Sequence, residues 1–528
     1  MKTIPEVFDF AASRGVVIDT GYSRLSVAQL NEQGRKLASS LDSIGIGYGD
    51  KVAAWLPNIP EYLTLYAATS RLGAILVAVN NRFRELEVAD IVGRSGAKLL
   101  VVSQNTGAVD YRGVLAKIAR RDLPHLQHLA LCGSGSEIID SPWPDVTCHA
   151  FDELTKAPPM STSAATPESL SNIFTTSGTT AAPKFAAHTQ GRIFGHVRDA
   201  ADALGMMDSP SRSLQLLPFC GVFGFVQTMA ALVSETPIVM PSVFDAGEAA
   251  RLCIEREVTH MFATDDMVHR MLEHGCNLSK SQRPFPTLKV CAFAQFNTYL
   301  SDLPERAETH GIPMLAPYGM SEVFAIFALR RHGQATVDRH RPGGTLVSLK
   351  ARVRARSPDT GEVLPHGEAG ELEIIGPYMF REYYGDEKAT AAALTEDGYL
   401  RTGDIGYTES DTTFTYLQRA GDTLRLGGFL VSPQEIEDAV MRAPGVADAQ
   451  VVAVGTSAGA RPVAFIIQSD DVPYDERAII ATVEQQLPKF KTPVRVLTLN
   501  AFPVTDGPNG TKIQRGKLRE LAREALGL

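Results

Sequence analysis

Along most of the chain, short apolar runs rich in β-branched residues alternate with longer stretches whose apolar positions recur at helical spacing. Lys51–Leu56 predicts a strand, Pro60–Leu72 a helix and Ala74–Val79 another strand. Further strands are expected at Lys98–Val102, Ser171–Phe174, Leu214–Leu217, Pro237–Met240, Thr259–Ala263 and Leu288–Ala292, with helical segments between them. Alternation of this kind predicts mainly parallel sheets covered by helices. Val347–Ile375 breaks the pattern: its Arg, Gly and β-formers predict a small antiparallel sheet or barrel.

After Arg419 the pattern restarts. Arg425–Val431, Gln450–Val454 and Val463–Gln468 predict strands. Pro433–Arg442, capped by Ser432, predicts a helix, as do Asp475–Leu487 and Gly516–Leu526. The expected architecture is α/β: a large N-terminal domain, residues 1–420, with a barrel-like subdomain, and a small mobile α+β domain, residues 421–528. Ala157–Pro167 is a polar connector, and there are no repeats.

Bulk properties narrow the function. A chain of 528 residues with 44% hydrophobic and 21% charged residues reads as a soluble globular protein of more than one domain. The net charge of −9 argues against a nucleic-acid partner. No apolar run is long enough for a signal peptide or a membrane span. The six scattered cysteines contain no Cys-x-x-Cys pair and read as reduced thiols, so a cytoplasmic setting is expected.

The chemistry is concentrated in five segments. Thr175–Lys184 (TTSGTTAAPK) packs five hydroxyl residues, a Gly and a Lys into ten positions after a predicted strand. Such a loop offers many donors to a polyanion, with Gly178 permitting a close turn; a flexible polar loop is the bland alternative. Tyr318–Glu322 (YGMSE) is expected at a strand-to-helix junction, where its acid can hold Mg2+ against phosphate oxygens. Tyr399–Tyr407 (YLRTGDIGY) is expected to place Asp404 in a Gly-flanked turn, able to accept bonds from two sugar hydroxyls. Arg419–Val431 mixes basic, acidic and Gly residues at the domain boundary, and Asn509–Arg515 is expected to put Lys512 on an exposed turn.

In this order and spacing the five segments resemble the adenylate-forming superfamily of acyl-CoA synthetases, adenylation domains and luciferases. The resemblance covers nearly the whole chain, including Gly49–Asn81. It implies that Thr176, Ser177, Gly178, Thr179, Thr180 and Lys184 surround the ATP phosphates. Tyr318 would pack on adenine, Glu322 would bind Mg2+, and Asp404 and Arg419 would serve the ribose or phosphate. Lys512 would reach the carboxylate and the α-phosphate, with Thr180 and Glu322 as further catalytic groups and Gly421 as the hinge. Gly427 and Gly428 would line a pantetheine channel.

The family's acyl pocket maps to Gly221, Phe223, Phe293, Ala294 and Gly319. Gly221 is either a helix start that uses Gly or the sign of a widened pocket, and Phe293 either walls the pocket or is core. Ala181 and Phe185 stand where the family's phosphate loop has glycines, yet the donors and Lys184 remain. The implied activity is ATP-dependent activation of a carboxylic acid, with acyl transfer to coenzyme A by a monomer or homodimer. The alternatives are transfer to an amine or a carrier-protein thiol, or a non-catalytic nucleotide-binding relative. Arg425, Lys489 and Lys491 are candidates for the 3′-phosphate of CoA, and His188 is read as a hydrogen-bonded structural residue.

Overall fold

The computed structural model describes residues 1–104, 111–133, 141–176, 183–208, 210–278, 281–295, 300, 302–330, 339–420, 424–426, 429–431, 433–456, 459–469, 473–487, 489–507 and 510–528. It divides into two units. The first holds Met1–Ala294, Leu303–Arg352 and Ile375–Leu400; the second holds Gln295–Asp302, Val353–Ile374 and Arg401–Leu528.

Two large sheets organise the first unit. One runs in the order Glu382–Tyr383, Phe185–Thr189, Leu170–Thr175, Ile75–Ala78, Lys51–Trp55, Leu99–Ser103, His128–Cys132, Thr147–Ala150. From Leu170–Thr175 onward its pairs are parallel, and the strands buried on both faces read as continuous apolar runs. The two strands at the other edge are antiparallel. The second sheet takes the order Met314–Leu315, Val290–Ala294, His260–Thr264, Ser213–Gln215, Ile238–Val239, Val17–Asp19, Arg24–Ser26, parallel except for its last pair.

Helix Pro60–Leu72 matches its expected bounds because Pro60 is pre-set for the first helical position and Gly73 closes the helix at φ 69°. Helix Val222–Val233 is buried on every side, so its sequence is apolar all round.

In the second unit Thr413–Arg419, Leu400–Ser410, Gly370–Ile375 and Arg352–Arg356 lie side by side in that order, which is the expected sheet in the middle of the chain. Glu373, fully buried there, is held by Arg354 at 2.6 Å and Arg356 at 3.0 Å. The C-terminal part is α+β. Val446–Thr456 pairs antiparallel with Gly459–Gln468, which pairs parallel with Arg495–Thr498. Helices Pro433–Met441, Glu476–Glu484 and Arg515–Leu526 each bury apolar side chains.

Three local expectations are corrected. Arg425–Val431 is two short antiparallel strands, Leu424–Leu426 and Phe429–Val431, because Leu426 pairs with Phe429 across Gly427 and Gly428. Those two glycines lie outside the described residues. Asp404 is not in a turn but inside the long strand Leu400–Ser410, paired with Arg419. Its flanking glycines serve the strand: Gly403 takes φ 67°, and a Cβ on Gly406 would stand 2.3 Å from the Thr415 carbonyl oxygen. Lys512 belongs to the strand Gly510–Ile513, paired with Val504–Gly507, where a turn was expected.

Candidate active site

The phosphate-loop segment leaves the C-terminal end of Leu170–Thr175, the edge of an α/β sheet where ligands ordinarily bind. The chain returns as Phe185–Thr189, and the Thr176 amide donates to the Lys184 carbonyl at 2.9 Å, closing the base of the loop. Thr176 and Lys184 therefore flank the loop as expected. Ser177, Gly178, Thr179 and Thr180 lie outside the described residues.

Glu322 sits at the expected strand-to-helix junction, and the helix there is a single 3-10 turn, Ser321–Val323. The turn is bounded by Tyr318, whose amide donates to the Ala328 carbonyl at 2.8 Å, while the Phe327 amide donates to the Tyr318 carbonyl at 2.8 Å. Between these residues the backbone folds tightly. Phe324 adopts φ 55° and Ala325 φ 79°, the left-handed region that L-residues avoid. Gly319 faces the Ala325 carbonyl so closely that a Cβ would lie 1.2 Å from its oxygen. Only glycine fits there.

Two buried histidines flank this turn. The His188 ring N–H at Nε2 donates to the Ser321 carbonyl at 2.8 Å, and Nδ1 has no partner among the described residues. Burial pushes His188 down to about 4 and His196 down to about 3, so both rings are neutral at ordinary pH. The Phe324 ring lies 5.0 Å from His188 and 5.7 Å from His196. His188 is thus the hydrogen-bonded residue the sequence predicted, whereas His196 carried no signal.

The buried Glu322 carboxylate accepts a hydrogen bond at Oε1 from the Tyr383 hydroxyl at 2.6 Å. Lys184 Nζ lies 4.7 Å from the centroid of the same ring. Sequence reading missed Tyr383; its only trace is an aromatic pair before Gly385. Tyr383 thus joins the loop lysine to the acid. Among the described residues no cluster of three or more His, Cys, Asp or Glu could cage a metal by itself. A single carboxylate suits Mg2+ that arrives with nucleotide phosphates as its other ligands.

In the second unit Arg419 donates to Asp404 Oδ1 at 2.7 Å and to the Thr402 carbonyl at 2.7 Å. Asp404 is buried and Arg419 about half exposed, so the pair presents a positioned carboxylate beside an accessible guanidinium. The backbone of Lys512 is set opposite Thr505. Its side chain, like Gly421 and the Arg425 side chain, is outside the described residues. Lys491 is tied to Glu435 at 2.6 Å, and Lys489 is exposed.

Of the expected pocket residues, Gly221 is the buried N-cap of helix Val222–Val233, with φ −103°. Phe223 stacks on Phe262 at 4.9 Å, and Phe293 is 2% exposed with its ring 6.4 Å from His340. Ala294, half-buried, ends its strand on the C-terminal edge of the second sheet.

Residues 9–384 match the model of the AMP-binding enzyme family, and residues 435–507 match the AMP-binding enzyme C-terminal domain. The chain belongs to the AMP-binding enzyme family. A crotonobetaine/carnitine–CoA ligase of Escherichia coli is 28% identical over 508 residues, 91% of this chain and 90% of that protein. The fold is shared with ATP-bound MatB from Rhodopseudomonas palustris (TM-score 0.82, 21% identity, 99% of each chain). It is shared equally with the anthranilate CoA ligase AuaEII in complex with anthranoyl-AMP (TM-score 0.82, 21% identity, 99% of this chain and 98% of that one). The protein is an AMP-forming enzyme of the acyl-CoA-ligase type. No helix among its described residues is long and apolar enough to cross a membrane.

Proposed function

We propose that the enzyme converts a carboxylic acid, ATP and CoA into an acyl-CoA, AMP and pyrophosphate through an acyl-adenylate. The observation that carries this reading is the alignment of Lys184 and Glu322 on one tyrosine beside the phosphate loop. A cation and a metal-binding acid at one end of the nucleotide are what phosphoryl chemistry requires.

In the first step a carboxylate oxygen attacks the α-phosphorus and pyrophosphate leaves. The acid is already ionised, so no general base is needed. Attack by one anion on another needs positive charge between them; Lys512 would supply it, and Glu322 would hold an Mg2+ ion that would add to it when bound. Thr176 through Thr180 and Lys184 hold the departing phosphates, Tyr318 packs on adenine, and Asp404 with Arg419 holds the ribose. In the second step the CoA thiolate attacks the acyl carbonyl and AMP leaves. Residues 421–528 turn about Gly421 between the two steps, withdrawing Lys512 and bringing Gly427 and Gly428 to the pantetheine. The acyl group lies among Gly221, Phe223, Phe293, Ala294 and Gly319. None of the six cysteines is joined in a disulfide, which fits a cytoplasmic setting.

The test is a panel of carboxylic acids incubated with ATP and Mg2+, each with CoA, with amino acids and with no acceptor, the products identified by mass. Pyrophosphate release with formation of a CoA thioester is expected. Release that yields no thioester with any acid would overturn the assignment of CoA. Lys512→Ala is expected to abolish carboxylate-dependent ATP–pyrophosphate exchange in a folded protein, and wild-type exchange would remove the lysine's role.

A further inference from the structure

Tyr383 touches both charged side chains that the first unit brings to the nucleotide. Its hydroxyl donates to Glu322 Oε1 at 2.6 Å, and its ring face carries the Lys184 ammonium at 4.7 Å from the centroid. The residue is built in from several sides. Strand Glu382–Tyr383 pairs with Phe185–Thr189, setting Tyr383 opposite Ala186, two positions from Lys184. The Tyr384 amide donates to the Phe185 carbonyl at 2.8 Å. Just upstream, the Phe380 amide donates to the Glu322 carbonyl at 2.6 Å, and Arg192 binds the Phe380 carbonyl at 2.7 Å. The Phe380 ring lies 4.7 Å from that of Tyr383. The segment therefore fixes the tyrosine relative to the acid's own backbone and to the lysine's strand at once.

The chemistry of the contacts fits this placement. A buried carboxylate needs a donor. A neutral hydroxyl satisfies one oxygen without cancelling the charge, whereas an arginine in the same place would compete with a cation. An aromatic face attracts an ammonium without forming an ion pair, so the lysine keeps its charge for an incoming phosphate.

We propose that Tyr383 is a positioning residue for nucleotide binding: its hydroxyl holds one oxygen of Glu322 and leaves the other for Mg2+, while its ring holds Lys184 beside the phosphate loop. This rests on the assignment above of Glu322 to Mg2+ and Lys184 to the phosphates.

The two contacts are separable in the full-length enzyme. Mn2+ binding with a non-hydrolysable ATP analogue is followed by electron paramagnetic resonance, and analogue binding without metal by calorimetry. Tyr383→Phe, which keeps the ring, is expected to raise the Mn2+ half-saturation about tenfold, as for one lost bond to a charged group, and to leave metal-free binding unchanged. Tyr383→Leu is expected to weaken metal-free binding several-fold in addition. Thermal melting monitors the fold, and Tyr383→Phe carries the test should the leucine variant unfold. Wild-type Mn2+ binding by Tyr383→Phe, together with loss in Glu322→Gln, would overturn the tyrosine's role and leave the metal assignment intact. Wild-type Mn2+ binding by Glu322→Gln would remove that assignment and this proposal with it.

Discussion

Gly319 and Ala325 meet backbone to backbone: a side chain at Gly319 would put its first carbon 1.2 Å from the Ala325 carbonyl oxygen. No rotamer relieves such a contact, since the backbone alone fixes where a Cβ stands and the atom it meets is main chain. Gly319→Ala must therefore displace the turn that carries Glu322. A destabilisation of about 3 kcal/mol is expected in urea unfolding, at the upper end for overpacking, with loss of ATP–pyrophosphate exchange. Wild-type unfolding and exchange would show that the turn can shift freely.

Asp404 and Arg419 are 2.7 Å apart, but Arg419 is about half exposed, so the pair contributes little to folding. On the proposed ribose role, its value lies in the carboxylate it positions. Asp404→Asn is expected to raise the KM for ATP at least about tenfold while the melting temperature stays within a degree or two of wild type. A large fall in melting temperature with unchanged KM would make the aspartate structural.

Two groups of buried ionisable residues pull the pH dependence of stability in opposite directions. In the second unit Glu437 accepts from the Val451 amide at 2.8 Å and from Arg515 at 2.9 Å, yet burial raises it to about 7. An acid raised in the folded state stabilises below its unfolded value near 4.5, and that contribution is lost as pH rises to about 7. Amide exchange in helix Pro433–Met441 should therefore be slower, relative to the intrinsic rate, at pH 5 than at pH 8. Glu437→Gln should abolish the difference, and persistence of it would refute the cause. His188 and His196 act the other way. Both are lowered, so their stability is present above pH 6.5 and lost as pH falls toward about 4 and about 3. His188→Asn should flatten the acid limb of the first unit's melting profile; an unaltered limb would place the titration elsewhere.

Gly221 caps helix Val222–Val233 without a side chain. On the proposed acyl pocket, Gly221→His is expected to shift the preference of the panel toward smaller acids by about tenfold, the scale on which a pocket discriminates size. An unchanged profile would assign Gly221 to the helix start alone.

Much of the fold was legible because its determinants are local. Helix Pro60–Leu72 is bracketed by a proline and a left-handed glycine, and the sheet strands are apolar runs separated by punctuation. Lys184, Glu322, Asp404 and Arg419 were legible as residue types in ordered segments. Asp404 was misread locally because glycine has two uses: the turn it normally signals, and the close approach to Thr415 that it provides here. Tyr383 was not legible, because its meaning comes from Glu322, 61 residues away in sequence. His196 was hidden for the same reason, its neighbour being Phe324.

The left-handed backbone at Phe324 carries a lesson for anyone engineering this scaffold. A routine stabilising edit would place glycine at such a position. Here the phenylalanine ring is enclosed by Phe174, Phe225, His188 and His196, and that enclosure holds the strained angle. Relaxing the backbone would remove the anchor, giving a more forgiving chain and a less well-aimed glutamate two residues before it.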